Sequence, residues 1–131
     1  MVKNKFVAID TNVAIAILNG DKKLMSSLKK FESISLPFTV CGELLFGAYN
    51  SSRTKSNITI FKKFIHDCLI LDSGFQVAEN YALIRKELKD KGKPIPENDI
   101  WIAATCIFHE VPIATFDKHF HFITGLKFVR I

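Results

Sequence analysis

The sequence predicts a three-layer α/β/α fold built on a mainly parallel sheet, and three observations carry that expectation. Short apolar runs rich in branched residues alternate with segments of helical spacing along the whole chain. Turn residues are spread singly, with no repeat, low-complexity stretch or linker that would divide it. At 131 residues, 48% apolar and 24% charged, the chain has the size and composition of one compact domain spanning 1–131. Strands that alternate with helices pair in parallel, because each helix carries the chain back along the sheet, and such sheets are covered on both faces.

Lys5 to Ile9 reads as the first strand, ending at Asp10, after which Val13, Ile17 and Leu18 take helical spacing up to Asn19-Gly20. A second helix is expected over Lys22 to Phe31 and a strand over Ser33 to Pro37. A third helix is expected to start near Thr39, whose hydroxyl is placed to cap its first turn. A polar loop from Asn50 to Ser56 leads to a helix reaching Asp67, and Leu69 to Leu71 form a strand. The long helix from Phe75 to Lys91 is closed by Gly92, with Pro94 and Pro96 forbidding continuation. Asn98 to Phe108 is mostly apolar and reads as a buried helix; Pro112 to Thr115 reads as a strand, Lys118 to Phe122 as a helical turn and Lys127 to Arg130 as a final strand. Trp101 and the twelve phenylalanines are expected in the core.

Composition excludes several classes. Four prolines and six glycines in an apolar-rich chain exclude disordered and collagen-like proteins. The longest apolar run, Ile100 to Phe108, is half of what a membrane span needs, and Asp10 and Asn12 interrupt any signal-like segment, so a cytoplasmic protein without membrane association is expected. Cys41, Cys68 and Cys106 are odd in number and far apart, which leaves no disulfide framework or paired-cysteine zinc motif. The glycines form neither a phosphate loop nor a dinucleotide fingerprint, so no nucleotide cofactor is expected. Eighteen basic against thirteen acidic residues leave a net charge of +5, which points to an anionic partner, nucleic acid first.

The acids supply the chemistry. In an open parallel sheet the reactive crevice lies beyond the carboxyl ends of the strands. Asp10 closes the first strand and Asp117 follows Ile113 to Thr115, so both fall at one edge. Glu43 shares a helix face with Val40 and Gly47, and Asp99 shares one with Ile102, Ala103 and Cys106, which aims both along half-buried sides. Clustered carboxylates repel and are costly to desolvate unless a divalent cation neutralises them, and oxygen ligands favour magnesium or manganese. Such a site suits phosphodiester hydrolysis. Each acid also has a plainer role: Asp10 as a helix cap, Asp99 with Glu97 as acids at a helix N-terminus, Glu43 in an ion pair, and Asp117 in a turn. His119 and His121, alternating with Phe120 and Phe122, read as an amphipathic surface turn, since no third nitrogen or thiolate ligand has zinc-like spacing. Asn12 stands where an aspartyl-phosphate phosphotransferase would need a second aspartate, which counts against that chemistry.

These residues, taken together, resemble the PIN domain, in particular the VapC-type toxins. The resemblance is carried by Asp10-Thr11-Asn12 after the first strand and by Glu43-Leu44 with Gly47. It continues in Ala82, Arg85, Leu88, Gly92, Ile95, Asp99 and Ile102-Ala103-Ala104, and in Ala114-Thr115-Phe116-Asp117 with His119-Phe120 and Gly125-Leu126. It implies a metal-dependent endoribonuclease, the toxin of a toxin–antitoxin pair, which cuts transfer or ribosomal RNA loops and inhibits translation. It also implies that Asp10, Glu43, Asp99 and Asp117 hold one or two Mg2+ or Mn2+ ions and are catalytic, with Asn12 and Thr115 as polar support. Further implications are a small cognate antitoxin and a homodimer. Lys86, Lys89, Lys93, Arg53 and Lys55 are then the candidates for the RNA backbone. Where relatives carry a polar residue in the last motif, this chain has Phe116. The other reading is a catalytically inactive PIN-like module that binds RNA or protein.

Overall fold

The computed structural model describes residues 5–131, so the expected domain of 1–131 includes four residues outside those described. Four strands, β1 (Phe6–Ile9), β2 (Ser33–Pro37), β3 (Leu69–Leu71) and β4 (Ile113–Ala114), form one sheet in the order β3-β2-β1-β4. Every pairing is parallel. The helices between them are α1 (Thr11–Leu18), α2 (Lys22–Leu28), α3 (Phe38–Tyr49), α4 (Thr54–His66), α5 (Phe75–Asp90) and α6 (Glu97–His109), and a 3-10 helix covers Lys118–Phe122. Val7, Ala8 and Ile9 are all fully buried. Neighbouring residues of a strand face opposite ways, so three buried in succession require cover on both sides, giving the expected α/β/α layers. α6 lies against α5 and reaches β2 and β3; α3 pairs with α4, and both touch β3.

Several local expectations change. β2 runs straight into α3 at Pro37, which is the N-cap and offers no side-chain acceptor, so Thr39 sits inside the first turn and caps nothing. α2 ends at Leu28, three residues early, and α4 begins at Thr54 inside the expected polar loop. α5 stops as expected: Gly92 adopts φ +66°, and the amides of Gly92 and Lys93 close on the carbonyls of Lys89 and Leu88. The final strand at Lys127–Arg130 shrinks to a single parallel bridge between Ile113 and Phe128, because β4 offers only two residues before the chain leaves the sheet. Trp101 is only partly buried and stacks on Tyr81, with ring centroids 3.8 Å apart. The phenylalanines divide: Phe120 is fully buried, whereas Phe46, Phe75 and Phe116 are exposed.

The strand order positions the site. The chain builds β1, β2 and β3 in one direction and then returns to the other side of β1 to lay down β4. At such a switch point the connections leave the strand ends in opposite directions and open a crevice. It lies beyond Ile9 and Ala114, where Asp10 and Asp117 are found.

Candidate active site

Asp10 is buried, 2% exposed, and caps α1 by accepting the Val13 amide at 3.1 Å. Its other carboxylate oxygen accepts the Thr115 hydroxyl. The Thr115 oxygen also accepts the Asp117 amide at 3.0 Å, so one side chain ties the end of β1 to the segment after β4. The cap reading of Asp10 is therefore correct as local structure, and the cap faces the crevice.

Thr11, beside it, donates to Glu43 at 2.7 Å and fixes that carboxylate from α3. Asp99, in the first turn of α6, accepts from Nε2 of His119 at 2.8 Å. The donor atoms of Asp99, Asp117 and His119 all lie within 4.8 Å of one another. Asp10 and Glu43 stand outside that group of three but line the same cleft. The cleft has a volume of about 500 Å³ and is lined by Asp10, Glu43, Glu97, Asp99 and Asp117, five carboxylates with no lysine or arginine among them. Asn12 lines it too, exposed at its mouth.

The acids feel one another. Burial raises the pKa of Asp10, and the charges of Asp117 and Asp99 push it further, against the hydrogen bonds from Thr115 and Val13. Burial also raises that of Asp99, opposed by His119 and reinforced by Asp117 and Glu43. An oxygen-rich, electronegative set of this kind fits a hard divalent cation, with His119 either adding a nitrogen or holding Asp99 in place. Glu97 differs, being turned toward solvent and bound by Tyr81 and by Arg85 at 3.4 Å.

His119 is the residue that sequence reasoning placed elsewhere. Its turn is amphipathic and at the surface, with Lys118, His121 and Phe122 exposed, but Phe120 anchors it in the core and His119 meets Asp99 of α6. Thr11 was quoted only as part of a motif. The expected basic contacts do not line the cleft. Lys86 is bound to Asp90 at 2.7 Å, Lys93 lies over the Phe122 ring, and Arg53 and Lys55 sit at the start of α4. Lys89 lines a neighbouring cavity that shares Glu97 with the cleft. The cysteines stay chemically silent: burial pushes the thiol of Cys106 up to about 12 and that of Cys68 up to about 11.

Residues 7–125 match the PIN domain family model. This chain belongs to the PIN-domain family. Among its relatives, Ribonuclease VapC1 of Haemophilus influenzae is 27% identical over 124 residues, covering 91% of this chain and 92% of that protein. Ribonuclease VapC2 of the same species is 31% identical over 100 residues, covering 73% and 74%. The fold is also that of VapBC2 from Rickettsia felis, solved bound to a DNA fragment from their promoter, with a TM-score of 0.87, 24% identity, and coverage of 96% of this chain and 98% of that one. The matched residues include the whole of the acidic cleft at the β1/β4 switch point. Among the described residues no helix is long and apolar enough to cross a membrane.

Proposed function

We propose that this chain is a divalent-metal-dependent endoribonuclease, the toxin of a toxin–antitoxin pair, which hydrolyses phosphodiester bonds in transfer or ribosomal RNA loops. The observation that carries the proposal is the cleft of five carboxylates without a lysine or arginine, set at the switch point of a PIN domain whose relatives are named ribonucleases. Asp10, Asp99 and Asp117 would hold Mg2+ or Mn2+, with Glu43 completing the set. Bound there, the ion would neutralise the scissile phosphate and make water a stronger nucleophile.

The protein's own groups do the positioning. Thr115 holds Asp10 and the Asp117 segment at a fixed separation, and His119 holds Asp99. Thr11 fixes one oxygen of Glu43 and leaves the other to accept the proton of an attacking water. The water oxygen bonds to phosphorus, the bond to the 3′ oxygen breaks, and that oxygen takes a proton from solvent. The products are a 5′-phosphate and a 3′-hydroxyl. Lys89, which lines the neighbouring cavity that shares Glu97 with the cleft, would meet the RNA backbone, and Lys86, Lys93, Arg53 and Lys55 would add to the positive field. The same reading gives the chain a small antitoxin and a second copy of itself as partners, and the cytoplasm as its compartment.

The test is incubation of the purified chain with total bacterial RNA in magnesium, in manganese and in chelator, beside Asp10→Asn. Discrete fragments with 5′-phosphate ends that require metal and vanish in the variant are expected. Cleavage that persists in chelator, or leaves 2′,3′-cyclic phosphates, overturns the mechanism; RNA binding without cleavage makes the chain an inactive binding module.

A further inference from the structure

A second cavity of about 510 Å³ lies on the far side of Asp117, which is a wall of both it and the acidic cleft. Its character differs from the cleft's: Phe116, Lys118, His121, Phe128 and Arg130 line it, with the Asp117 side chain and Ile131 also among its walls. Lys118 and Arg130 are exposed, and among the described residues neither has a carboxylate within 4.0 Å, whereas Lys86, Lys91 and Arg85 are paired. The rings of His121 and Phe128 are stacked 4.0 Å apart and form a flat, rigid side. Phe116 is 52% exposed and directly precedes Asp117 of the acidic cleft. The Thr115 oxygen, bonded to Asp10 and to the Asp117 amide, holds the backbone on either side of Phe116, whose ring lines this cavity.

We infer that this cavity is a nucleotide subsite, holding the RNA residue next to the cleaved bond with its base on Phe116 and its phosphates on Lys118 and Arg130. The inference rests on the ribonuclease reading above and deepens it. A cleft lined by five carboxylates attracts a cation but repels the phosphates flanking the scissile one, so a strand crossing it needs cations immediately beyond its wall. Unpaired basic groups beside an exposed ring are the combination that binds single-stranded nucleic acid without regard to sequence, since every base has a face to stack. A volume near 500 Å³ accommodates one nucleotide, and the held backbone limits the ordering cost to the Phe116 side chain.

The experiment measures binding of a fluorescein-labelled, mixed-sequence 12-nucleotide single-stranded RNA to the Asp10→Asn chain in magnesium across a salt series, with cleavage of total RNA by the otherwise wild-type chain in parallel. Phe116→Ala should weaken binding about 5-fold or more, and Phe116→Trp should restore it, with tryptophan quenching by RNA larger than that of the parent, which carries only Trp101. Lys118→Ala with Arg130→Ala should lower the slope of log affinity against log salt by about 1.4, as expected for two single-strand phosphate contacts. Lys62→Ala with Lys63→Ala on α4 should alter the slope far less. An unchanged manganese-induced rise in melting temperature for Phe116→Ala in the otherwise wild-type chain shows that Asp117 has kept its place. If the parent cuts RNA while all the cavity variants bind and cut like it, the subsite is wrong and the nuclease stands. If Phe116→Trp fails to rescue, Phe116 is structural and the subsite is wrong; if the variants lose only affinity for a co-purifying antitoxin, the cavity is a protein contact. A parent that neither binds nor cuts RNA brings down both readings.

Discussion

Asp10 both caps α1 and lines the acidic cleft, and two substitutions separate these roles. Asp10→Asn keeps an oxygen for the Val13 amide and places an amide group against the Thr115 oxygen, while removing a buried charge that Asp117 and Asp99 disfavour. In chelator its stability should therefore stay within about 1 kcal/mol of wild type, the lost charge-assisted bonds being offset by relief of desolvation. Asp10→Ala removes the cap and should cost about 1 kcal/mol, close to 4 °C in melting temperature for a domain of this size. Metal then gives the contrast. Manganese at about 10 to 100 times its dissociation constant stabilises the wild type by about 1.4 to 2.7 kcal/mol, or roughly 5 to 11 °C. In Asp10→Asn the rise should fall below about 2 °C and cleavage should cease. Differential scanning calorimetry with and without manganese measures both effects. If Asp10→Asn keeps the full rise and cuts RNA while Asp10→Ala merely melts earlier, Asp10 is a cap and the metal belongs to Asp99, Asp117 and His119 alone.

His119→Ala frees Asp99 to rotate and should lower manganese affinity about 10- to 100-fold by isothermal titration calorimetry, with the fold retained by circular dichroism. Thr115→Val keeps the shape but removes both hydrogen bonds of the hydroxyl, and should cost about 1.5 to 3 kcal/mol in urea unfolding together with most of the cleavage rate. Thr11→Val releases Glu43 and should slow single-turnover cleavage more than it lowers the metal-induced stabilisation; equal loss of both would leave Glu43 a metal-binding role alone. In chelator, the raised pKa of Asp10 means the folded state binds its proton more tightly than the unfolded chain does. Stability measured relative to Asp10→Asn should be greatest below the ordinary carboxylate value of 3.8 and be lost as pH rises through the higher folded value; a profile parallel to that of the variant contradicts the shift.

The sequence by itself determined the class of fold and the edge of the sheet where the chemistry sits. Apolar runs of branched residues, each followed by a helix-spaced segment, specify a parallel sheet through local preference and burial alone, and Asp10 and Asp117 directly after such runs are placed by chain direction. Helical spacing likewise turned Glu43 and Asp99 toward the interior. What tertiary structure decided is every contact between distant segments. His119 reaches Asp99 only because Phe120 is swallowed by the core, and the alternation of His and Phe reads the same for an exposed turn as for an anchored one. Thr115 meets Asp10 across 105 residues because β4 pairs with β1, and strand order is not written in the periodicity of either strand. Lys127–Arg130 has the pattern of a strand yet makes only one bridge, since pairing needs a partner of equal length and β4 stops at Ala114. Patterning fixes which face of an element is buried; the neighbour against that face, and so the pairing of one polar side chain with another, is settled when the layers pack.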